Sequence, residues 1–111
     1  MQKAKALGLL SISMKAGKVA SGGFATEKAV RDGRAFLVIL AEDASENTTK
    51  KFSDMCRYRD VPVEIYQTKE TLGRAIGKDA RSNLAILDER LAAGIREHIE
   101  AERKSAERSV L

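Results

Sequence analysis

Two adjacent glycines, Gly22 and Gly23, followed by Phe24, Lys28 and Arg31, form the segment whose residue types and spacing best suit a chemical task. A helix that opens on glycine presents backbone N–H groups with no side chain in the way. The positive end of its dipole faces whatever approaches. Lys28 and Arg31 follow about one and two turns along and add full charges. The chemistry this implies is the capture of an anion. Lys15 and Lys18 widen the basic surroundings, and Lys78, Ala80 and Arg81 stand in a second polar loop, Gly77 to Asn83. An ordinary helix stop and turn is the plainer reading of that loop. Pattern alone leaves open which loops share a rim.

Other chemistries fit less well. Gly17-Lys18-Val19 lacks the Ser or Thr that a phosphate-binding P-loop places after its lysine, and no G-x-G-x-x-G occurs. Glu42-Asp43 ends an apolar run, where open α/β sheets often bind ligands. Asp43 with Glu46 has the form of a capping box, however, and helix capping is the favoured role. His98, the only histidine, lies in an acid-rich polar stretch and reads as a surface residue. Cys56 falls on the inward stripe of its helix and reads as a buried, inert thiol. No metal-ligand spacing, triad or paired-carboxylate arrangement is present. The chain reads as a binding module with no catalytic residues, no metal and no cofactor.

The elements that must position these residues follow from periodicity and punctuation. Leu7, Leu10 and Met14 form a helical stripe over residues 3–15. Val19-Ala20-Ser21 is a short extended piece. A helix from Phe24 to Asp32 ends at Gly33. The run from Ala35 to Ala41 lacks polar alternation, which predicts a central strand covered on both faces. A helix capped by Asp43 extends to about Tyr58, with Phe52, Met55 and Cys56 inward. Val61, Val63 and Ile65 then alternate with Pro62, Glu64 and Tyr66, predicting an edge strand. Thr68 caps a helix with Leu72, Ala75 and Ile76 inward and Gly77 as its stop. Leu84 to Leu87 is a second buried strand. Asp88 caps a last helix with Leu91, Ile95 and Ile99 on one face. Strands alternating with helices predict an α/β fold, a three-layer α/β/α sandwich with a mixed sheet of about four strands. One domain is expected over residues 1–100, with a polar helical extension or frayed tail over 101–111.

Composition narrows the partner. The chain has 111 residues, a 43% hydrophobic fraction and one proline, which excludes disorder. A single cysteine suits a reducing, cytoplasmic compartment. No apolar run approaches the length of a membrane span, and Ser11, Ser13 and Lys15 interrupt what would be a signal peptide. Residues 1–34 hold seven Lys/Arg (Lys3, Lys5, Lys15, Lys18, Lys28, Arg31, Arg34) against Glu27 and Asp32, a surplus of +5, while the other 77 residues balance to −1. The positive surplus therefore surrounds the glycine pair, which favours a polyanion. A merely solvated basic surface is the alternative.

Four further stretches resemble a known family. Gly33 to Ser45, reading GRAFLVILAEDAS, then Asn47-Thr48-Thr49-Lys50-Lys51, then Val61-Pro62-Val63 and Leu72 to Lys78, reading LGRAIGK, look like the kink-turn RNA-binding ribosomal proteins (the "L seven Ae" and "L thirty e" types). Within that family the chain most resembles the bacterial YlxQ-type members. The resemblance spans residues 6 to about 93. It implies an α/β/α sandwich that binds kinked RNA at tandem sheared G·A pairs. It assigns the RNA-entering helix start to Gly22, Gly23, Phe24, Ala25 and Lys28, and the second contact loop to Lys78, Asp79, Ala80 and Arg81. Archaeal and eukaryotic members usually carry Asn-Glu where this chain has Phe24-Ala25, and those side chains read the guanines. The apolar loop residues of stronger binders are replaced by Lys78-Asp79-Ala80. The resemblance thus supports RNA binding better than kink-turn selectivity. Phe24 either stacks on an unpaired base or staples its helix to the core.

The expected function is non-enzymatic binding of structured RNA, ribosomal or otherwise kink-turn-like, through Gly22, Gly23, Phe24, Lys28 and Arg31, with Lys15, Lys18, Lys78, Ala80 and Arg81 around them. A monomer in the cytoplasm, associated with ribosomes and their proteins and not with membranes, is the expected setting. The alternative is a protein–protein interaction module of a ribonucleoprotein or translation assembly.

Overall fold

The sheet is built around β2 (Leu37–Leu40), which is buried at all four positions. The computed structural model describes residues 4–110, with side chains through residue 108. Residues 1–3, with Lys3 as the expected start of the first helix, lie outside the described residues. Beside β2 run β4 (Asn83–Ile86), antiparallel to it, and β3 (Val63–Ile65), parallel to it. β1 (Val19–Ser21) pairs antiparallel with β4, so the order is β1-β4-β2-β3.

Successive side chains of the two central strands point to opposite faces, and each face has its own helices. Leu37, Ile39, Leu84 and Ile86 join one apolar cluster with Leu10, Leu72, Ile95 and Ile99. Those come from α1 (Lys5–Lys15), α4 (Lys69–Ala75) and α5 (Glu89–Val110). Val38, Leu40 and Ala85 join the other cluster with Val30, Phe52 and Cys56. Those come from α2 (Gly23–Arg31) and α3 (Glu46–Tyr58). Full burial of each large apolar side chain contributes about 1.5–3 kcal/mol, so these two clusters hold the three layers together. The expected three-layer sandwich with a mixed four-stranded sheet is the observed architecture.

Two local expectations need correction. The strand expected over Ala35–Ala41 is shorter, and Phe36 at its entrance is 41% exposed, in a shallow depression it lines with Pro62 and with Glu89, Ala92 and Arg96 of the last helix. Asp43 does not cap α3. Ser45 does, its hydroxyl accepting from the Thr48 amide at 3.1 Å, while the Asp43 carboxylate accepts from the Lys69 amide at 2.8 Å and braces the start of α4. On the edge strand β3 the side carrying Glu64 and Tyr66 is covered. Tyr66 is 7% exposed and the Glu64 side chain 12%, because α5 lies over them, while Ile65 is 41% exposed. Thr68 and Asp88 do cap α4 and α5, accepting from the amides of Thr71 at 3.2 Å and Leu91 at 2.9 Å.

α5 runs without a break past residue 100. Glu102 accepts from the Tyr66 hydroxyl at 2.5 Å and from the Ala6 amide at 3.0 Å, so it also serves the open N-terminus of α1. Arg103 donates to Glu64 at 2.7 Å and to the Ile65 carbonyl at 2.8 Å, covering the outer edge of β3.

Candidate nucleic-acid interface

Strand directions decide which loops meet. β1 and β2 both run antiparallel to β4, and β3 parallels β2. The ends of β1, β2 and β3 therefore share one rim with the start of β4. That rim gathers Gly22-Gly23, Glu42-Asp43 and the loop Gly77–Ser82. Direct bonds confirm the meeting. The Gly22 amide donates to the Asn83 carbonyl at 3.3 Å, the Ala41 amide to Ser82 at 2.9 Å, and Arg81 Nε reaches Ser21 Oγ at 3.4 Å. Lys78, Ala80 and Arg81 thus lie beside the glycine pair. Lys15 and Lys18 lie at the other end of β1, on the opposite rim, where the Lys18 carbonyl accepts from Leu87 at 2.8 Å.

The start of α2 is open. Gly22 is its N-cap, at φ 92° and ψ 154°, a conformation essentially restricted to glycine. No side chain caps this helix, whereas Ser45, Thr68 and Asp88 cap α3, α4 and α5. Phe24 in the first turn is 84% exposed, so it does not staple α2 to the core. Two buried acceptors, Thr26 Oγ1 on α2 and Asn83 Oδ1 at the start of β4, have no hydrogen-bond partner among the described residues. Polar groups therefore lie beneath this helix start, where apolar packing supports the rest of α2.

The neighbouring loop is held in place by a close approach. A Cβ on Gly73 would stand 2.0 Å from the Asp79 carbonyl oxygen, so only glycine lets the loop pack against α4. The Lys78 amide donates to the Gly73 carbonyl at 2.8 Å. The Arg81 guanidinium folds back onto the carbonyls of Asp79 at 3.2 Å and Ala80 at 3.1 Å. Lys78, Asp79 and Ala80 remain exposed.

Below the rim, the exposed face of α2 carries a network of charges. Phe24, Glu27, Lys28, Arg31 and Asp32 line a shallow depression. Lys28 pairs with Asp32 at 2.9 Å, and Glu27 holds both Arg31 and Lys51 at 2.6 Å. Arg34 approaches Asp32 at 3.8 Å, and Arg59 donates to the Arg31 carbonyl at 3.0 Å. The hydrogen bond from Lys51, with the charge of Arg31 nearby, holds the Glu27 carboxyl below its ordinary pKa. The bond from Lys28 does the same for Asp32, with Arg34 and Arg59 adding to it. Five cations, Lys28, Arg31, Arg34, Lys51 and Arg59, thus stand over two carboxylates. Lys51 and Arg59 are not singled out by the sequence pattern. The available signal was their position beside the buried Phe52–Cys56 stripe of α3, on the flank that meets α2.

The remaining candidates have ordinary roles. Burial pushes the Cys56 thiol up to about 11, so it is protonated at neutral pH. Asp43 is engaged at α4, and His98 is half-buried on α5. Among the described residues no group of His, Cys, Asp and Glu could hold a metal, and no helix is long and apolar enough to cross a membrane.

Comparison with known proteins agrees with this geometry. The chain is similar to the RNA-binding protein YlxQ of Bacillus subtilis (strain 168), 45% identical over 84 residues, covering 76% of this chain and 84% of that one. The RNA-binding protein YlxQ of Enterococcus faecium is 36% identical over 96 residues, covering 86% and 92%. A solved protein of unknown function from Bacillus halodurans C superposes with a TM-score of 0.85 at 35% identity, covering 88% of this chain and 99% of that one. A Giardia lamblia 15.5kD RNA binding protein superposes at 0.71 with 25% identity, covering 86% and 84%. The model of the ribosomal protein L7Ae/L30e/S12e/Gadd45 family matches residues 4–100, and the chain belongs to that family as a YlxQ-type member.

Proposed function

We propose that this protein is a non-enzymatic RNA-binding protein that holds structured, kink-turn-like RNA at the start of α2. The observation that carries this reading is the uncapped N-terminus at Gly22, with exposed Phe24 beside it and a cationic surplus below. The RNA-binding names of the two YlxQ relatives and of the Giardia protein support the same reading. Backbone N–H groups at Gly23, Phe24 and Ala25 meet phosphate or base edges, and the glycines allow the backbone to come close. Lys28 and Arg31 contact phosphates, and exposed Phe24 offers a stacking surface to an unpaired base. Lys78 and Arg81 contact the flanking stem with Ala80 between them, and Lys15 and Lys18 belong to a more distant basic margin. The protein works as a monomer in the cytoplasm, on ribosomal or similar RNA and close to ribosome-associated proteins.

The test is an equilibrium titration of the full chain against a labelled kink-turn RNA across a salt series. The control is the same stem with its G·A pairs replaced by Watson–Crick pairs. Tighter binding to the kinked stem, with a steep salt slope, is expected. Equal binding to both would overturn kink-turn selectivity and leave a general RNA-binding surface. Absence of binding to either at low salt would overturn the RNA reading.

A further inference from the structure

The α2 face continues onto α3 and ends at a second exposed aromatic. Phe24, Lys28 and Arg31 follow the i, i+4, i+7 spacing of one helical stripe on α2. Lys51, Met55 and Tyr58 repeat that spacing on α3. Two contacts show that the stripes are neighbours. Lys51 reaches Glu27 at 2.6 Å near the middle of α2, and Arg59 reaches the Arg31 carbonyl at 3.0 Å at its end. Both helices start on the rim that holds Gly22 and run to the opposite one. Phe24 is 84% exposed at the near end, and Tyr58 is 85% exposed at the far end. Seven helical residues separate each end of a stripe by about 10 Å.

We propose that the exposed face shared by α2 and α3 serves as a channel for a single RNA strand emerging from the structured element held at the rim, an inference that rests on the RNA reading above. Phe24 and Tyr58 are the base-stacking platforms, and Lys28, Arg31, Lys51 and Arg59 follow the phosphates. Aromatic platforms joined by a cationic groove are the general solution for single-stranded nucleic acid, because every base has a π-face and every linkage a charge. Charge decides the occupant. Five cations over two carboxylates leave a net surplus that an acidic chain neutralises. The cations of these pairs are exposed and exchange cheaply with phosphate.

The experiment compares two RNAs, a blunt kink-turn stem and the same stem with about five unpaired nucleotides on either strand, against the full chain and its Tyr58→Ala and Tyr58→Phe variants. Tyr58 is exposed at a helix end, so the variants should fold, which thermal melting verifies. The extended RNA should bind the parent more tightly than the blunt one, and Tyr58→Ala should lose about tenfold on the extended RNA alone, as expected for one lost stack. Tyr58→Phe should keep the affinity. If Tyr58→Ala leaves both affinities unchanged while Lys28→Ala weakens both, the channel is refuted and the rim site stands. An equal loss on both RNAs also refutes the channel, because Tyr58 then acts on the stem. If neither RNA binds the parent chain, the rim reading and the channel fall together.

Discussion

Two carboxylates in this molecule each hold two cations, and the two networks serve different ends. Glu64 on β3 takes Arg96 at 3.4 Å and Arg103 at 2.7 Å. Glu27 on α2 takes Arg31 and Lys51, both at 2.6 Å. The first network sits against buried Tyr66 and is tied to backbone, since Arg103 also donates to the Ile65 carbonyl and Glu102 joins Tyr66 to the start of α1. The second sits on an open face beside Phe24, and further cations crowd its other carboxylate, Asp32. Like ion-pair motifs therefore differ by what surrounds them. Where the acids match the cations and the same groups also bond to backbone, the network holds elements together. Where cations exceed acids beside an exposed aromatic, positive charge stays available to a partner.

The largest effect should come from breaking the buried side. Glu102→Ala leaves the Tyr66 hydroxyl and the Ala6 amide without their carboxylate, and orphaning such groups costs about 2 kcal/mol. Thermal unfolding should shift down by roughly 10 °C, with RNA affinity unchanged well below the transition. Tyr66→Phe should cost less, because Glu102 keeps Ala6. A melting temperature unmoved by Glu102→Ala would remove the contrast between the networks.

On the open side the expected pattern reverses. Lys28→Ala should leave stability within about 0.5 kcal/mol, since its ion pair with Asp32 is exposed. RNA affinity should fall several-fold, and the slope of log affinity against log salt should shrink by about one. An unchanged slope would take Lys28 off the contact surface.

The smallest effect tests the carboxylates. Glu27 and Asp32 have folded pKa values held below their ordinary ones, chiefly by the bonds from Lys51 and Lys28. A carboxyl lowered on folding stabilises above its unfolded pKa, and that contribution is lost as pH falls through the folded value. Both networks of pairs on α2 are thus intact at neutral pH and dissolve only in acid. RNA binding should be flat between about pH 8 and 5 and strengthen below about pH 4, as the cations are released. Asp32→Asn should mimic that release at neutral pH, with a modest gain in affinity. A loss of affinity in this variant would mean that Asp32 orients Lys28 for the contact.

Much of the frame was legible in the sequence because it depends on local rules. The unbroken apolar run around Leu37–Leu40, the caps at Thr68 and Asp88 and the helix start at Gly22-Gly23 each follow from neighbouring residues. The failures were local signals overruled at a distance. Asp43 and Glu46 have the spacing of a capping box, but Ser45 stood in position to cap α3, and Asp43 was drawn to α4. The alternation in β3 marked an edge strand without telling which side is covered, because nothing near Glu64 and Tyr66 in sequence announces that α5 passes overhead.

The sequence by itself determined the layer architecture, the open glycine start of α2 and the uneven placement of charge, because periodicity, capping chemistry and composition act within a few residues. Only the tertiary structure decided that the loop at Lys78–Arg81 joins Gly22 while Lys15 and Lys18 do not, since this depends on the antiparallel pairing of β1 with β4. It alone turned Phe24 outward and brought Lys51 of α3, and Arg59 just past its end, against α2. Those contacts join residues 24 or more positions apart, and no pattern within one element encodes them.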